Sequence, residues 1–363
     1  KQNDGKLRMG VLFLHEMIAK SDHRNYHKTD GNQWREGGRM ADKKRILVTR
    51  DFPPAGIERL RENPAFELTQ WEMDRPMTRD ELVERAKDHD VVLCTLTERI
   101  DRAFLEECSH LEMISQFAVG YDNIDVAAAT ELGIPVGFTP DAMSDATADI
   151  AFGLMIASAR KMFYLHNTIA KGEWGYFRPR GHLGMELSGK TLGIFGMGRI
   201  GMKTARRCRG AYNMEILYCS RNRKPEAEKE LDAALVDFDT LLGKSDIVSA
   251  HCALTPDTRH IFNRDAFERM KPEAIFINTA RGPIHHEPDL IRALENKEIW
   301  GAGLDVTDPE PMKPDNPLLF MENVCVLPHV GSGTNEARNE MSAMAADNIL
   351  AFYRNGRIPH IVN

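Results

Sequence analysis

Lys190-Thr-Leu-Gly-Ile-Phe-Gly-Met-Gly-Arg-Ile-Gly201 runs an apolar segment into glycines at 196, 198 and 201. Leu192 to Phe195 has the unbroken apolar character of a buried strand, and Arg199 to Arg209 has helical spacing, so the glycines stand at a strand-to-helix turn. That context is what a dinucleotide-binding fingerprint needs. Gly196 permits the tight turn, Gly198 lets backbone approach a pyrophosphate with no Cβ in the way, and Gly201 lets the helix pack on the strand. The start of that helix adds unpaired amides and the positive end of its dipole.

Met214-Glu-Ile-Leu-Tyr-Cys219 reads as the next strand, and its end is where a carboxylate would take the adenine ribose of NAD. The residues there are Ser220-Arg221-Asn222-Arg223. A carboxylate repels a 2′-phosphate, whereas a hydroxyl beside two guanidiniums bonds it with charge assistance. The turn therefore predicts NADP as the cofactor rather than NAD.

Around this centre the chain alternates. Strands are expected at Ile46 to Thr49, Phe66 to Trp71, Val91 to Thr95, Met113 to Phe117 and Ile134 to Gly137, with helices near Ala55 to Glu62, Arg79 to Asp88 and Asp125 to Leu132. This is a first α/β domain with a parallel sheet and no glycine fingerprint of its own. The apolar pattern from Ala148 through Ile169 predicts one long helix between domains. After the fingerprint, strands are expected near Ile247 to Ala250, Ala274 to Asn278, Gly303 to Val306 and Val324 to Leu327, and a final helix at Glu336 to Tyr353 returns to the first domain.

The totals narrow the function. With 363 residues, 42% hydrophobic and 28% charged, the chain can form two cored domains. Its net charge is −7, and the first 39 residues carry more Lys and Arg than Asp and Glu, so the remainder is more acidic still. An acidic body argues against nucleic acid and anionic membrane as partners. Six scattered cysteines without a CxxC pair predict buried free thiols in a reducing compartment, hence the cytoplasm. No apolar run approaches the roughly 18 residues of a membrane span, and Met9 to Leu14 is too short for a secretory core. Residues 1–39 lack sustained periodicity and are expected to be an extension, disordered or upstream of a natural start at Met40.

Ligands of such sheets bind beyond the carboxyl ends of the strands, so the residues just after each strand carry the chemistry. One strand ends in Asn278-Thr279-Ala280-Arg281-Gly282, placing a guanidinium where it can clamp a carboxylate with two parallel bonds. The next ends in Asp305-Val-Thr-Asp-Pro-Glu310-Pro311, and the last in Leu327-Pro328-His329-Val330-Gly331-Ser332. Neighbouring His285 and His286 point differently and lack further ligands at metal spacing, so no metal is expected and both are read as surface or loop residues.

Taken with Val119-Gly120-Tyr121-Asp-Asn-Ile-Asp125, these ordered motifs resemble the D-specific 2-hydroxyacid dehydrogenases, most closely the glyoxylate/hydroxypyruvate reductases, over about residues 45–358. The resemblance implies two doubly wound α/β domains. A Rossmann NADP-binding domain at 142–331 would be inserted in a flavodoxin-like substrate domain of 40–141 and 332–363. It implies His329 as the general acid, Glu310 as the partner of its ring, and Arg281 as the carboxylate clamp, assisted by the backbone of Val119 and Gly120. It assigns Leu96 to the substrate wall, and Gly198, Arg199, Ile200, Ala253, Thr279, Asp305 and Gly331 to the cofactor. Trp174 would reach the substrate pocket of a neighbouring subunit, which implies a homodimer. Where His285 and His286 stand, the family often has apolar residues.

Competing readings remain within the same architecture. Formate oxidation needs no acid at Glu310; phosphoglycerate dehydrogenase is disfavoured by the basic turn and the lack of room for an appended regulatory domain; phosphite oxidation is a further option. A cofactor-sensing corepressor would use the same motifs for binding alone.

Overall fold

The computed structural model describes residues 43–363. The extension expected at 1–39 lies outside the described residues. The chain first lays down β1 (Lys44–Val48), α1 (Pro54–Arg61), β2 (Phe66–Gln70), α2 (Arg79–Ala86), β3 (Val91–Cys94), α3 (Arg102–Glu107), β4 (Met113–Gln116), α4 (Val126–Glu131) and β5 (Val136–Gly137). These strands form a parallel sheet in the order β2-β1-β3-β4-β5. Every residue of β3 and β4 is buried, because helices cover both faces. The helices start where the chain supplies acceptors. Thr78 and Glu81 form a reciprocal capping box at α2, and Asp101 and Asp125 cap α3 and α4.

The second sheet follows α5 (Ser144–Ala159) and α6 (Met162–Ala170). Its elements are β6 (Thr191–Phe195), α7 (Arg199–Tyr212), β7 (Glu215–Cys219), α8 (Pro225–Leu231), β8 (Ala234–Leu235), α9 (Phe238–Lys244), β9 (Ile247–Ala250), α10 (Arg264–Arg269), β10 (Ile275–Asn278), α11 (Glu287–Glu295), β11 (Gly301–Leu304) and β12 (Val324–Val326). The order β12-β11-β10-β9-β6-β7-β8 reverses between β6 and β9, the switch point at which a nucleotide crevice opens. One face is packed by Leu154, Met155, Ile194, Tyr218 and Ile277, the other by Phe195, Phe262, Phe267 and Phe276.

Helix α12 (Asn335–Asn355) closes the first core instead. Met341, Ala345, Ala346 and Ile349 join Ile46, Val48, Leu93 and Met113. Ser115 donates its hydroxyl to Ala345 O at 3.0 Å, and the Gly56 amide bonds Ser342 Oγ at 3.0 Å.

The single helix expected from Ala148 to Ile169 is two. It breaks at Lys161, which turns left-handed at φ +54°. The loop returning at Met185 bonds the Ala159 carbonyl at 2.9 Å, and the Lys161 ammonium is drawn to Glu322 at 2.9 Å and to the Trp300 ring, so the ladder ends there. Helix α5 then packs into the second core while α6 buries no residue. The six cysteines are free. Burial pushes the Cys208 and Cys252 thiols up to about 12. No helix among the described residues is long and apolar enough to cross a membrane.

Candidate active site

The three fingerprint glycines have three different surroundings. Gly196 sits at φ +98°, and a Cβ there would stand 2.7 Å from the Cys252 amide nitrogen. At Gly201 a Cβ would stand 2.6 Å from the Gly196 carbonyl and 3.0 Å from the Ile194 side chain, so the helix could not approach the strand. At Gly198 a Cβ would meet nothing within 4 Å. Gly198 is the N-cap of α7, whose first amides receive no side-chain cap. The arrangement fits a pyrophosphate.

Ser220 accepts a 2.7 Å hydrogen bond from the Met197 amide, tying the glycine loop to the end of β7. The two arginines that follow differ. Arg223 Nε reaches both Glu228 carboxylate oxygens at 2.8 Å, and Tyr218 Oη donates to the same carboxylate at 2.7 Å. Arg221 and Asn222 are exposed, and Arg221 makes no ion pair among the described residues. Arg199 pairs with Asp141 at 2.9 Å. The buried Thr279 hydroxyl has no partner among the described residues, and Ala253 is exposed.

Arg281 follows β10. Asn278 shapes the turn, accepting from the Ala280 amide at 3.0 Å and donating to the Arg281 carbonyl at 2.8 Å. The guanidinium crosses to the first sheet: Nε donates to Asp122 Oδ1 at 2.9 Å, and a Cβ on Gly120 would fall 1.7 Å from its terminal nitrogen. Glu310 accepts from the Thr307 amide at 3.0 Å with one oxygen and meets His329 Nδ1 at 2.9 Å with the other. Burial raises the Glu310 pKa, but the hydrogen bond and charge of His329, the Thr307 amide and the charge of Arg281 together hold it below the ordinary value. A carboxylate that accepts from Nδ1 leaves Nε2 of the ring to face a ligand.

His329 is itself in the left-handed region at φ +55°. Buried Asp305 holds it there. Its carbonyl accepts from the His329 amide at 2.9 Å, and its carboxylate takes the Val330 and Gly331 amides at 2.8 and 2.7 Å. Burial drives the Asp305 pKa up despite those amides. Gly331 packs against Asp305 and Thr147, where a Cβ would be 3.0 Å from the carboxylate. Half-buried Leu96 lines a cavity of about 520 Å³ with Thr97, Arg99, Asp122 and Asn123. Val119 and Gly120 are half-buried in the loop after β4. Trp174 is 70% exposed on the loop after α6.

Residues 152–331 match the NAD binding domain of the D-isomer specific 2-hydroxyacid dehydrogenases. A glyoxylate reductase of Korarchaeum cryptofilum is 42% identical over 322 residues, covering 88% of this chain and 96% of that protein. The chain belongs to this dehydrogenase family. Among solved structures, the dehydrogenase resembles a glyoxylate reductase from Paecilomyes thermophila, with TM-score 0.79 and 35% identity over 88% of this chain and 98% of that one. It also resembles an NADPH-dependent glyoxylate/hydroxypyruvate reductase of Sinorhizobium meliloti solved with NADP and malonate, with TM-score 0.76 and 31% identity over 88% and 97%. It is therefore an oxidoreductase that uses a nicotinamide cofactor.

Two site features of the dehydrogenase were missed or misread in the sequence. Asp122 was not singled out, although a carboxylate two residues after Gly120 at a strand's carboxyl end was the available signal. His285, read as a surface or loop residue, lies in the loop after β10 but is fully buried under Phe276, and its Nδ1 lies 3.0 Å from Asn278 Nδ2. Burial pushes its pKa down to about 3, so the ring is neutral and can accept from the amide that shapes the Arg281 turn. His286 points away, to Asp289 at 2.7 Å.

Proposed function

We propose that this dehydrogenase reduces a small 2-keto acid, glyoxylate or hydroxypyruvate, to the D-2-hydroxy acid with NADPH. The carrying observation is the convergence of the Arg281 guanidinium and the His329–Glu310 pair at successive strand ends of one sheet. Residues 142–331 are the cofactor unit in this reading, and 40–141 with 332–363 the substrate unit.

The nicotinamide, when bound, supplies hydride to the carbonyl carbon. Arg281 binds the substrate carboxylate with its outer nitrogens, beside the backbone of Val119 and Gly120, and Leu96 limits the chain length accepted. His329 gives the proton from Nε2 to the carbonyl oxygen. Glu310, held ionised by its neighbours, meets Nδ1 at 2.9 Å and fixes the plane of the ring, which leaves Nε2 for the substrate. Asp305 keeps the His329 loop against the cofactor side. The glycine loop at 196–201, with Arg199, Ile200, Ala253, Thr279 and Gly331, holds the cofactor.

Arg221 and Ser220 support the preference for NADP, with Asn222 and the pinned Arg223 beside them; the Sinorhizobium meliloti relative carries NADP. Exposed Trp174, Tyr176 and Phe177 beside the uncovered α6 support a homodimer through that face, with Trp174 reaching the partner's pocket. Six free thiols suit a reducing cytoplasm.

Initial rates with NADPH and NADH, each against glyoxylate, hydroxypyruvate and phenylpyruvate, test the reading. Fast NADPH oxidation with a two- or three-carbon keto acid is expected. A preference for NADH refutes the role given to Ser220–Arg223, and no turnover with any pair favours a binding role for the site.

A further inference from the structure

Arg281 comes from the second sheet, but the first sheet orients it. Of its five N–H groups, Nε–H is taken by Asp122 Oδ1 at 2.9 Å and one on Nη1 by the Ala280 carbonyl at 2.7 Å. Nη2 lies against Gly120, in the space a side chain would fill. What remains for an incoming carboxylate is the outer Nη1–Nη2 edge.

Asp122 is itself firmly based. Its neighbour Asn123 donates to the carbonyls of Thr95 at 3.1 Å and Glu98 at 2.8 Å, and accepts from Gln116 Nε2 at 2.8 Å. The same Gln116 nitrogen donates to the Gly120 carbonyl at 3.2 Å. Beneath them the buried Glu98 carboxylate accepts from the Thr49 hydroxyl and the Thr95 amide, both at 2.9 Å, and pairs with Arg50 at 3.0 Å. The loop carrying Asp122 is thus fastened to the ends of β1, β3 and β4. An arginine fixed before its ligand arrives loses less side-chain freedom on binding.

We propose that Asp122 is a positioning residue for the reduction: through Nε it sets the Arg281 guanidinium so that its outer edge meets the substrate carboxylate beside Gly120. The inference rests on Arg281 being the carboxylate clamp. Asp122 touches neither reacting atom, so its removal acts on substrate binding more than on the proton or hydride step.

Steady-state kinetics with glyoxylate and NADPH, accompanied by thermal melts, decide it across Asp122→Ala, Asp122→Asn, Arg281→Ala and the Asp122→Ala/Arg281→Ala double variant. Asp122→Ala is expected to raise the glyoxylate KM roughly tenfold, with the NADPH KM unchanged and kcat lowered less than about threefold. Asp122→Asn keeps an acceptor opposite Nε and raises that KM only about threefold. The double variant should match Arg281→Ala alone, since a residue that acts through another adds nothing once the other is gone. A wild-type glyoxylate KM in a folded Asp122 variant, either Ala or Asn, overturns the proposal, as does a double variant whose loss is the product of the two singles. If Arg281→Ala keeps the wild-type KM, the clamp reading itself fails.

Discussion

The Ser220–Arg223 turn and the Asp305–Glu310–His329 group lie at strand ends of one sheet yet are built in opposite ways. In the second group every carboxylate oxygen named has a donor, Asp305 is buried, and the histidine backbone is held in a conformation it would seldom adopt unaided. In the first, the arginines stand in solvent and only Arg223 is pinned, by Glu228. The contrast separates two demands. Proton transfer needs one geometry held in place, whereas discrimination between cofactors needs only charge at the right sign and range, and that charge is screened by salt.

The largest expected effect falls on the fixed group. His329→Ala should lower kcat by roughly 10² to 10⁴ while NADPH binding, followed by fluorescence titration, stays as in the wild type. A surviving rate would erase the contrast between the two regions.

Glu310→Gln comes next, with a loss in kcat of roughly tenfold to a hundredfold in steady-state assays. Because the Glu310 pKa is held down, its ionised form and the stability it confers are present at neutral and high pH and lost only as pH falls through that lowered value. An unchanged kcat in Glu310→Gln would show that the carboxylate held against His329 Nδ1 at 2.9 Å has no part in the reaction.

The smallest effect belongs to the open turn. Arg221→Ala should weaken NADPH binding about fivefold, leave NADH binding unchanged, and lose most of its effect in high salt. A much larger loss, insensitive to salt, would mean that this turn is as rigidly built as the Asp305–Glu310–His329 group.

Much of this was legible because parallel strands covered on both faces must be continuous apolar runs, and Val91–Cys94, Ile247–Ala250 and Ile275–Asn278 are such runs. Residues placed just after them share the carboxyl edge whatever the details of packing, which is why Arg281, Glu310 and His329 could be grouped in advance. Ala234–Leu235 escaped notice because a two-residue edge strand has no periodicity to detect. The break at Lys161 depends on Glu322 and Trp300, far along the chain, and apolar spacing continues straight through it. The Asp122–Arg281 pair spans 159 residues between two sheets, and no local pattern announces it. His285 misled because a histidine reads as polar, while a neutral ring in a strand-end turn packs as an aromatic.

The position of α12 governs the order in which the molecule can be made. The second sheet takes its strands from one unbroken stretch between Thr191 and Val326, whereas the first core needs Met341, Ala345 and Ile349 beside Ile46 and Leu93, and Val362 bonds β5 while His360 bonds Phe138 just after it. On the ribosome the segment synthesised first thus waits for residues beyond 335 before its hydrophobic face is covered, while the inserted unit can close behind it. The loop after β4 that carries Gly120 and Asp122 is consequently among the last parts of the enzyme to acquire a finished foundation.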